Sequence, residues 1–158
     1  MINVRIKIGN GEIYDTYKKY GLIYKESDNI VDAPIKDYDS TSYSGENGTH
    51  IDPRTVANSF DYKVTFIVLA DNSNLNNANA KINAFNEALY SLTGNGDIRQ
   101  YKEVTFYNDY KRVKIVGIPQ AISEAKKFYR NRTDCVEVEF TIKVEDPDKC
   151  DFNLSVTP

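Results

Sequence analysis

Among its 158 residues the chain has no tryptophan, one methionine, one histidine and two cysteines. A lone histidine excludes a metal centre built on imidazoles, which needs more than one. His50 also sits in a polar stretch with no serine or cysteine arranged around it, so no nucleophile–base pair is legible. Cys135 stands one place before an alternating strand and Cys150 lies in a charged tail. That spacing does not make a zinc site. It leaves a disulfide or two reduced thiols open, and reduced thiols are the state expected in a cytosol. No run approaches the roughly 18 apolar residues that span a bilayer. The start, Met1-Ile-Asn-Val-Arg-Ile-Lys7, alternates instead of forming a signal-peptide apolar block, so neither a membrane partner nor secretion by that route is expected. The net charge of −3 lacks the basic excess that general phosphate-backbone binding requires.

Apolar residues make up 41% and charged residues 27%, the balance of a folded globular chain of one-domain size. The twelve tyrosines stand out. They suit half-buried strands and interfaces, because the ring is buried while the hydroxyl finds a partner. Tyrosine's strand propensity accounts for them equally well.

Ile2, Val4, Ile6 and Ile8 alternate with polar residues, the period of a half-buried strand, and Asn10-Gly11 supplies a turn. Asp15 to Gly21 predicts one helical turn, capped by the aspartate and closed by the glycine. Leu22 to Tyr24 and Ile30 to Ile35 predict short strands, the second at an edge because of Pro34. From Lys36 to Ser59 the composition turns to Asp, Ser, Asn, Gly and Thr, which predicts a long loop. Phe60, Tyr62, Val64, Phe66 and Val68 then line a strand whose other face ends in Ile67 and Leu69, so it is expected to be central and covered on both sides. Leu75, Ala78, Ile82, Phe85, Leu89 and Leu92 recur at helical steps, with Gly94 and Gly96 as the stop. Val104–Tyr107 and Val113–Ile118 predict a hairpin. Val136 to Val144 predicts a strand with Glu137, Glu139, Thr141 and Lys143 facing out. Phe152, Leu154 and Val156 suggest an added edge strand over 151–157. The sum is about seven strands and one substantial helix: an α+β chain with an antiparallel β-sandwich or barrel-like sheet and one amphipathic helix packed on it.

Catalytic, cofactor and metal motifs fail on inspection. Asp71-Asn-Ser-Asn-Leu-Asn76 starts like a calcium loop but has Leu75 at a ligand position and Ile82 where the bidentate glutamate belongs, so it reads as a helix cap. Gly45-Glu-Asn-Gly48 and Gly94-Asn-Gly96 lack the lysine of a phosphate loop. Asp37/Asp39 and Asp146/Asp148 are acidic pairs that loop solubility explains. No enzyme and no cofactor are expected. Two groups remain as surface candidates. Tyr43, Gly45, Asn47, Gly48, His50, Asp52 and Arg54 form a segment that cannot pack a core, tied to the strongest strand; such loops commonly act outside their own domain. Lys126, Lys127, Tyr129, Arg130 and Arg132 interleave basic and aromatic side chains, a weak nucleic-acid pattern diluted by Glu124 and Asp134, for which a solvated strand end or a subunit contact is favoured.

The order of features resembles the N-terminal domain of phage distal tail proteins and the related tail-tube fold. The pieces that carry the resemblance are Asp15-Thr-Tyr-Lys-Lys-Tyr-Gly21, Ser44-Gly-Glu-Asn-Gly-Thr-His-Ile-Asp52, the strand from Phe60, the helix to Leu92, and Val104 to Val113. Ser44 stands where many members of the family have proline. A chain of this length has no room for the second, carbohydrate-binding-like domain that many also carry. The resemblance implies a virion structural component, phage or prophage, made in the bacterial cytoplasm and placed in the tail. It implies a homo-oligomeric ring, commonly of six subunits, that joins the tube to the tip and contacts other tail proteins. With the missing apolar run and the net charge, no membrane and no specific nucleic-acid partner are expected. A tube subunit, or a monomeric β-sandwich module binding carbohydrate or peptide through its tyrosines, are the alternatives. A ring subunit needs partners for its edge strands and a segment that reaches its neighbour, and 36–59 is long enough for that.

Overall fold

The computed structural model describes residues 4–41, 45, 48, 50–70, 75–128 and 135–154. Their elements are β1 (Val4–Ile8), β2 (Ile13–Asp15), α1 (Thr16–Tyr20), β3 (Leu22–Ser27), β4 (Ser40–Thr41), β5 (His50–Ile51), β6 (Phe60–Leu69), α2 (Leu75–Ala88), β7 (Tyr90–Thr93), β8 (Ile98–Tyr101), β9 (Val104–Asn108), β10 (Val113–Gln120), β11 (Ala125–Phe128) and β12 (Cys135–Val144). The hydrogen-bonded path runs β2-β1-β9-β10-β12-β6-β3, with β11 also on β12, and every pairing is antiparallel. The result is the expected sandwich-like sheet with one substantial helix.

The two halves of the sandwich share one strand. Val113–Gly117 pairs with β9, while Ile118–Gln120 pairs with β12. Gly117 lies where the strand passes from one half to the other. A Cβ there would sit 2.4 Å from the Lys143 carbonyl oxygen and 2.9 Å from Ile142 Cγ2, so only glycine fits the crossing. Between the halves lies an aromatic core. The Phe106 ring stands 6.2 Å from Tyr62 and 6.4 Å from Phe66, and Phe85 of α2 meets Phe140 at 5.2 Å, edge to face. Ala78, Ile82 and Phe85 bury the helix's apolar stripe, and Leu89, one place past its end, is buried with them. The Asn86 side chain bonds both the N–H and the carbonyl of Ile122, holding the segment after β10 against α2.

The cap signals of α1 are realised. Asp15 accepts from the N–H groups of Tyr17 and Lys18, and Gly21 closes the helix at φ +74°. Several expectations need correction. The first turn does include Asn10 and Gly11, whose N–H donates to the Ile8 carbonyl at 3.1 Å, but the left-handed residue in it is Gly9 (φ +57°) and neither of those two. Ile30–Ile35 is not a strand and makes one bridge, Ile35 to Ala57. The helix ends at Ala88, and Leu92 lies exposed on β7. Gly94, Asn95 and Gly96 all take positive φ, so they turn a hairpin between β7 and β8 and do not cap the helix. The spacing of Leu92 fits both periods; the three-residue left-handed run decides for the hairpin.

β6 is central, with β12 and β3 on its two sides, but Leu69 on its second face is exposed. Glu137, expected to face water, is buried; its carboxylate accepts from Lys25 Nζ at 3.0 Å. After Val144, Asp146 caps a 3-10 turn over Pro147–Lys149. The suggested last edge strand is reduced to one bridge, Lys114 to Asp151, and a bond from Leu154 N–H to the Arg112 carbonyl; 155–158 lie outside the described residues. Cys135 and Cys150 are both free.

Candidate subunit-interface arm

The polar stretch between β3 and β6 is not a shapeless loop. Its two limbs run antiparallel. Lys36 N–H donates to the Val56 carbonyl at 2.9 Å, Asn58 N–H to Pro34 at 2.7 Å and Asp52 N–H to Asp39 at 2.9 Å. The Thr55 hydroxyl adds a bond to the Lys36 carbonyl at 2.5 Å. Farther out, β4 pairs with β5, Ser40 opposite Ile51 and Thr41 opposite His50. About seven extended residues on the outgoing limb give a reach on the order of 20 Å.

This arm is stiffened locally. The Asp52 carboxylate accepts from Arg54 N–H and Nε at 3.0 Å each, and from Nη2 at 2.9 Å. The fork-shaped contact holds the Asp52 carboxyl below the usual carboxylate range. Gly45 and Gly48 take φ +87° and +96° with open space around them, so the tip needs glycine for its backbone and not for packing. The root is held by a polar cluster. Tyr62 donates to Ser27 Oγ at 2.8 Å, Tyr24 shares a 2.8 Å bond with the same oxygen, and buried Asn108 donates to it at 3.3 Å. Asn108 also accepts from Lys111 N–H at 3.0 Å. Lys111 Nζ then reaches the Ser27 carbonyl and Asn29 Oδ1. Asp28 and Lys63 exchange two bonds of 3.0 Å at the point where the arm leaves β3 and returns to β6. The hairpin turn between β9 and β10 therefore grips the arm's base.

Along and beside the arm, Val31, Ile35, Tyr38, Ile51 and Val56 are exposed. These are the residues that sequence reasoning missed. Their signal is present as apolar side chains scattered through a polar segment, but the composition of Ile30–Ile35 predicts a strand. Of the predicted arm residues, Gly45, Gly48, His50, Asp52 and Arg54 lie on the outer hairpin; Tyr43 and Asn47 fall outside the described residues. Lys126 and Lys127 lie on β11; Tyr129, Arg130 and Arg132 fall outside the described residues. β11 pairs with β12 and the arm springs from β3 and β6, so the sheet puts the two groups at opposite edges. Among the described residues no cluster of three His, Cys, Asp or Glu side chains could hold a metal ion, and no helix is long and apolar enough to cross a membrane.

The class defined by this geometry is an antiparallel β-sandwich with one packed helix and a projecting β-arm. No protein-family model matches the chain, and no curated protein matches it. Among solved structures it is similar to the SPP1 Dit (gp 19.1) protein, described as a paradigm of the hub adsorption apparatus in phages that infect Gram-positive bacteria. The TM-score is 0.57 at 15% identity, over 91% of this chain and 50% of that one. The chain thus spans about half the length of the Dit protein, and what the two share is the fold.

Proposed function

We propose that the chain is a structural component of a phage or prophage tail, an adaptor that assembles into a ring between the tail tube and the tip. The observation that carries this reading is the arm. A hairpin with a rigid root and exposed apolar side chains has no role in its own core, and such a surface calls for a partner. The strand path ends at β2 and β3, edges that a neighbouring subunit can complete. The likeness in fold to a phage hub protein supports the same reading. Chemistry has no part in it: the arm positions surfaces, and the whole chain works as one tail component, in the virion, against copies of itself and other tail proteins. A ring of six is the number implied by the family resemblance.

The test removes the arm. Lys36 and Val56 face each other across the limbs, so replacing 37–55 by a two-residue Asn-Gly turn closes the hairpin at its base. Light scattering should show a ring-sized particle for the full chain and a folded monomer for the shortened one. Filaments in place of one ring would favour a tube subunit. A full chain that stays monomeric at every concentration, or a shortened chain that assembles like the parent, overturns the proposal.

A further inference from the structure

Taking the arm as a subunit contact, we propose that its outgoing limb docks in a lysine-lined groove between α1 and α2 of a second copy of this chain. The limb is acidic. From residue 28 to 39 it carries Asp28, Asp32, Asp37 and Asp39 against Lys36 alone. Asp28 is occupied at the root, where it accepts from Lys63 N–H. Asp37 and Asp39 lie farther out, exposed, with no side-chain bond among the described residues. The return limb contributes no counter-charge, because Asp52 and Arg54 neutralise each other.

The groove has the opposite character. It is open, about 460 Å³ in volume, and is lined by Tyr17, Lys18, Lys19, Tyr20, Lys81 and Ala84 together with Gly21. Among the described residues no carboxylate lines it. Lys18 and Lys19 are exposed, Lys19 lying 4.7 Å from the Tyr14 ring centre. Lys81 bonds the Leu69 carbonyl at 2.9 Å, which holds its ammonium at the groove wall. Gly21 keeps the floor low: a side chain there would press on Lys81 at 3.1 Å. Lysines beside tyrosine rings offer an acidic, partly apolar strand both its charges and its flat contacts. The arm and the groove are different patches, so the contact is head-to-tail and closes a ring when the rotation closes.

Charge exchange between two variants tests this. Lys18→Glu with Lys19→Glu makes arm and groove both acidic; Asp37→Lys with Asp39→Lys makes both basic. Each variant alone should remain monomeric. In an equal mixture every arm meets a groove of opposite sign, and sedimentation should show the full assembly with the two variants alternating. Because an unfolded chain cannot be recovered by mixing, recovery also proves that both variants fold. The milder Lys18→Gln with Lys19→Gln should weaken assembly by about tenfold or more at low salt, with a smaller loss at high salt. If the acidic-groove variant assembles like the parent, or if the folded mixture stays monomeric, the groove is not the receptor. The arm-replacement experiment separates this from the broader reading: an arm that is required while the lysines are not leaves the proposed function standing and removes only this inference.

Discussion

Truncating Ile51 and Val56 together to alanine separates a docking arm from a folding element. In the single chain Ile51 is 61% exposed and Val56 65% exposed. A side chain already in water has little to lose on the folding side, so the melting temperature of the isolated chain should move by no more than the roughly 0.5 kcal/mol typical of surface changes. Assembly is different. Each methylene that a partner removes from water is worth about 0.8 kcal/mol. Isoleucine to alanine deletes three carbons and valine to alanine two. Scaled by the exposed fractions, the double change forfeits about 2.5 kcal/mol per arm if the partner covers both side chains. At tenfold per about 1.4 kcal/mol, the association constant should fall on the order of 60-fold. Sedimentation equilibrium over a range of concentrations reads that number directly, and circular dichroism melting reads the control. An unchanged association constant would show that these side chains face water in the assembly. A large fall in melting temperature would show that they belong to the fold, and the arm would lose its status as an interface.

Three further outcomes are expected. Gly117→Ala should cost about 1–3 kcal/mol or more of folding stability in denaturant unfolding, because the new methyl meets the Lys143 carbonyl at 2.4 Å and backbone cannot swing away; a neutral result would mean that the two halves of the sandwich are not clamped there. Burial pushes the Tyr62 hydroxyl up to about 12 from its ordinary 10, against the opposing pull of its bond to Ser27. The folded state thus favours the neutral phenol, so this contribution is complete below pH 10 and is lost as pH rises towards 12, by about 2–3 kcal/mol in all; Tyr62→Phe should flatten that part of the stability profile. Lys111→Met removes the bonds to Ser27 and Asn29, and should speed amide exchange over 30–41 several-fold while strands β6 and β12 keep their protection; equal exchange would show that the root does not need the clamp.

How much was legible follows the range of the interactions. The β12 alternation, the Phe60–Leu69 strand and the capped turn from Asp15 to Gly21 all depend on neighbours two to six residues apart, and each formed where its pattern pointed. The failures share a different cause. Ile30–Ile35 has the composition of a strand, but a strand needs a partner along its length, and this segment is met only at its end, by Ala57 and Asn58. Leu92 fits a helical stripe as well as a hairpin, and the choice fell to Gly94, Asn95 and Gly96, whose left-handed run favours a reversal. Glu137 looked like a solvent-facing residue until Lys25, 112 positions away, was folded onto it. The composition of 36–59 predicts a loop because its apolar residues are too sparse to show a period.

By itself the sequence determined the local alphabet: which segments extend, where the helices begin, that a metal centre built on imidazoles could not be assembled from one histidine, and that 36–59 could not be core. Those properties are set by side-chain period, backbone freedom and composition, and they survive without knowledge of the rest of the chain. Only the tertiary structure decided that β10 would serve both halves of the sandwich, that the polar stretch would fold back on itself as an arm gripped by Lys111, and that an acidic limb and a lysine-lined groove would lie at opposite ends of the β3–β6 pair. Each of these rests on contacts between residues far apart in the chain, whose energy exists only once the packing has brought them together.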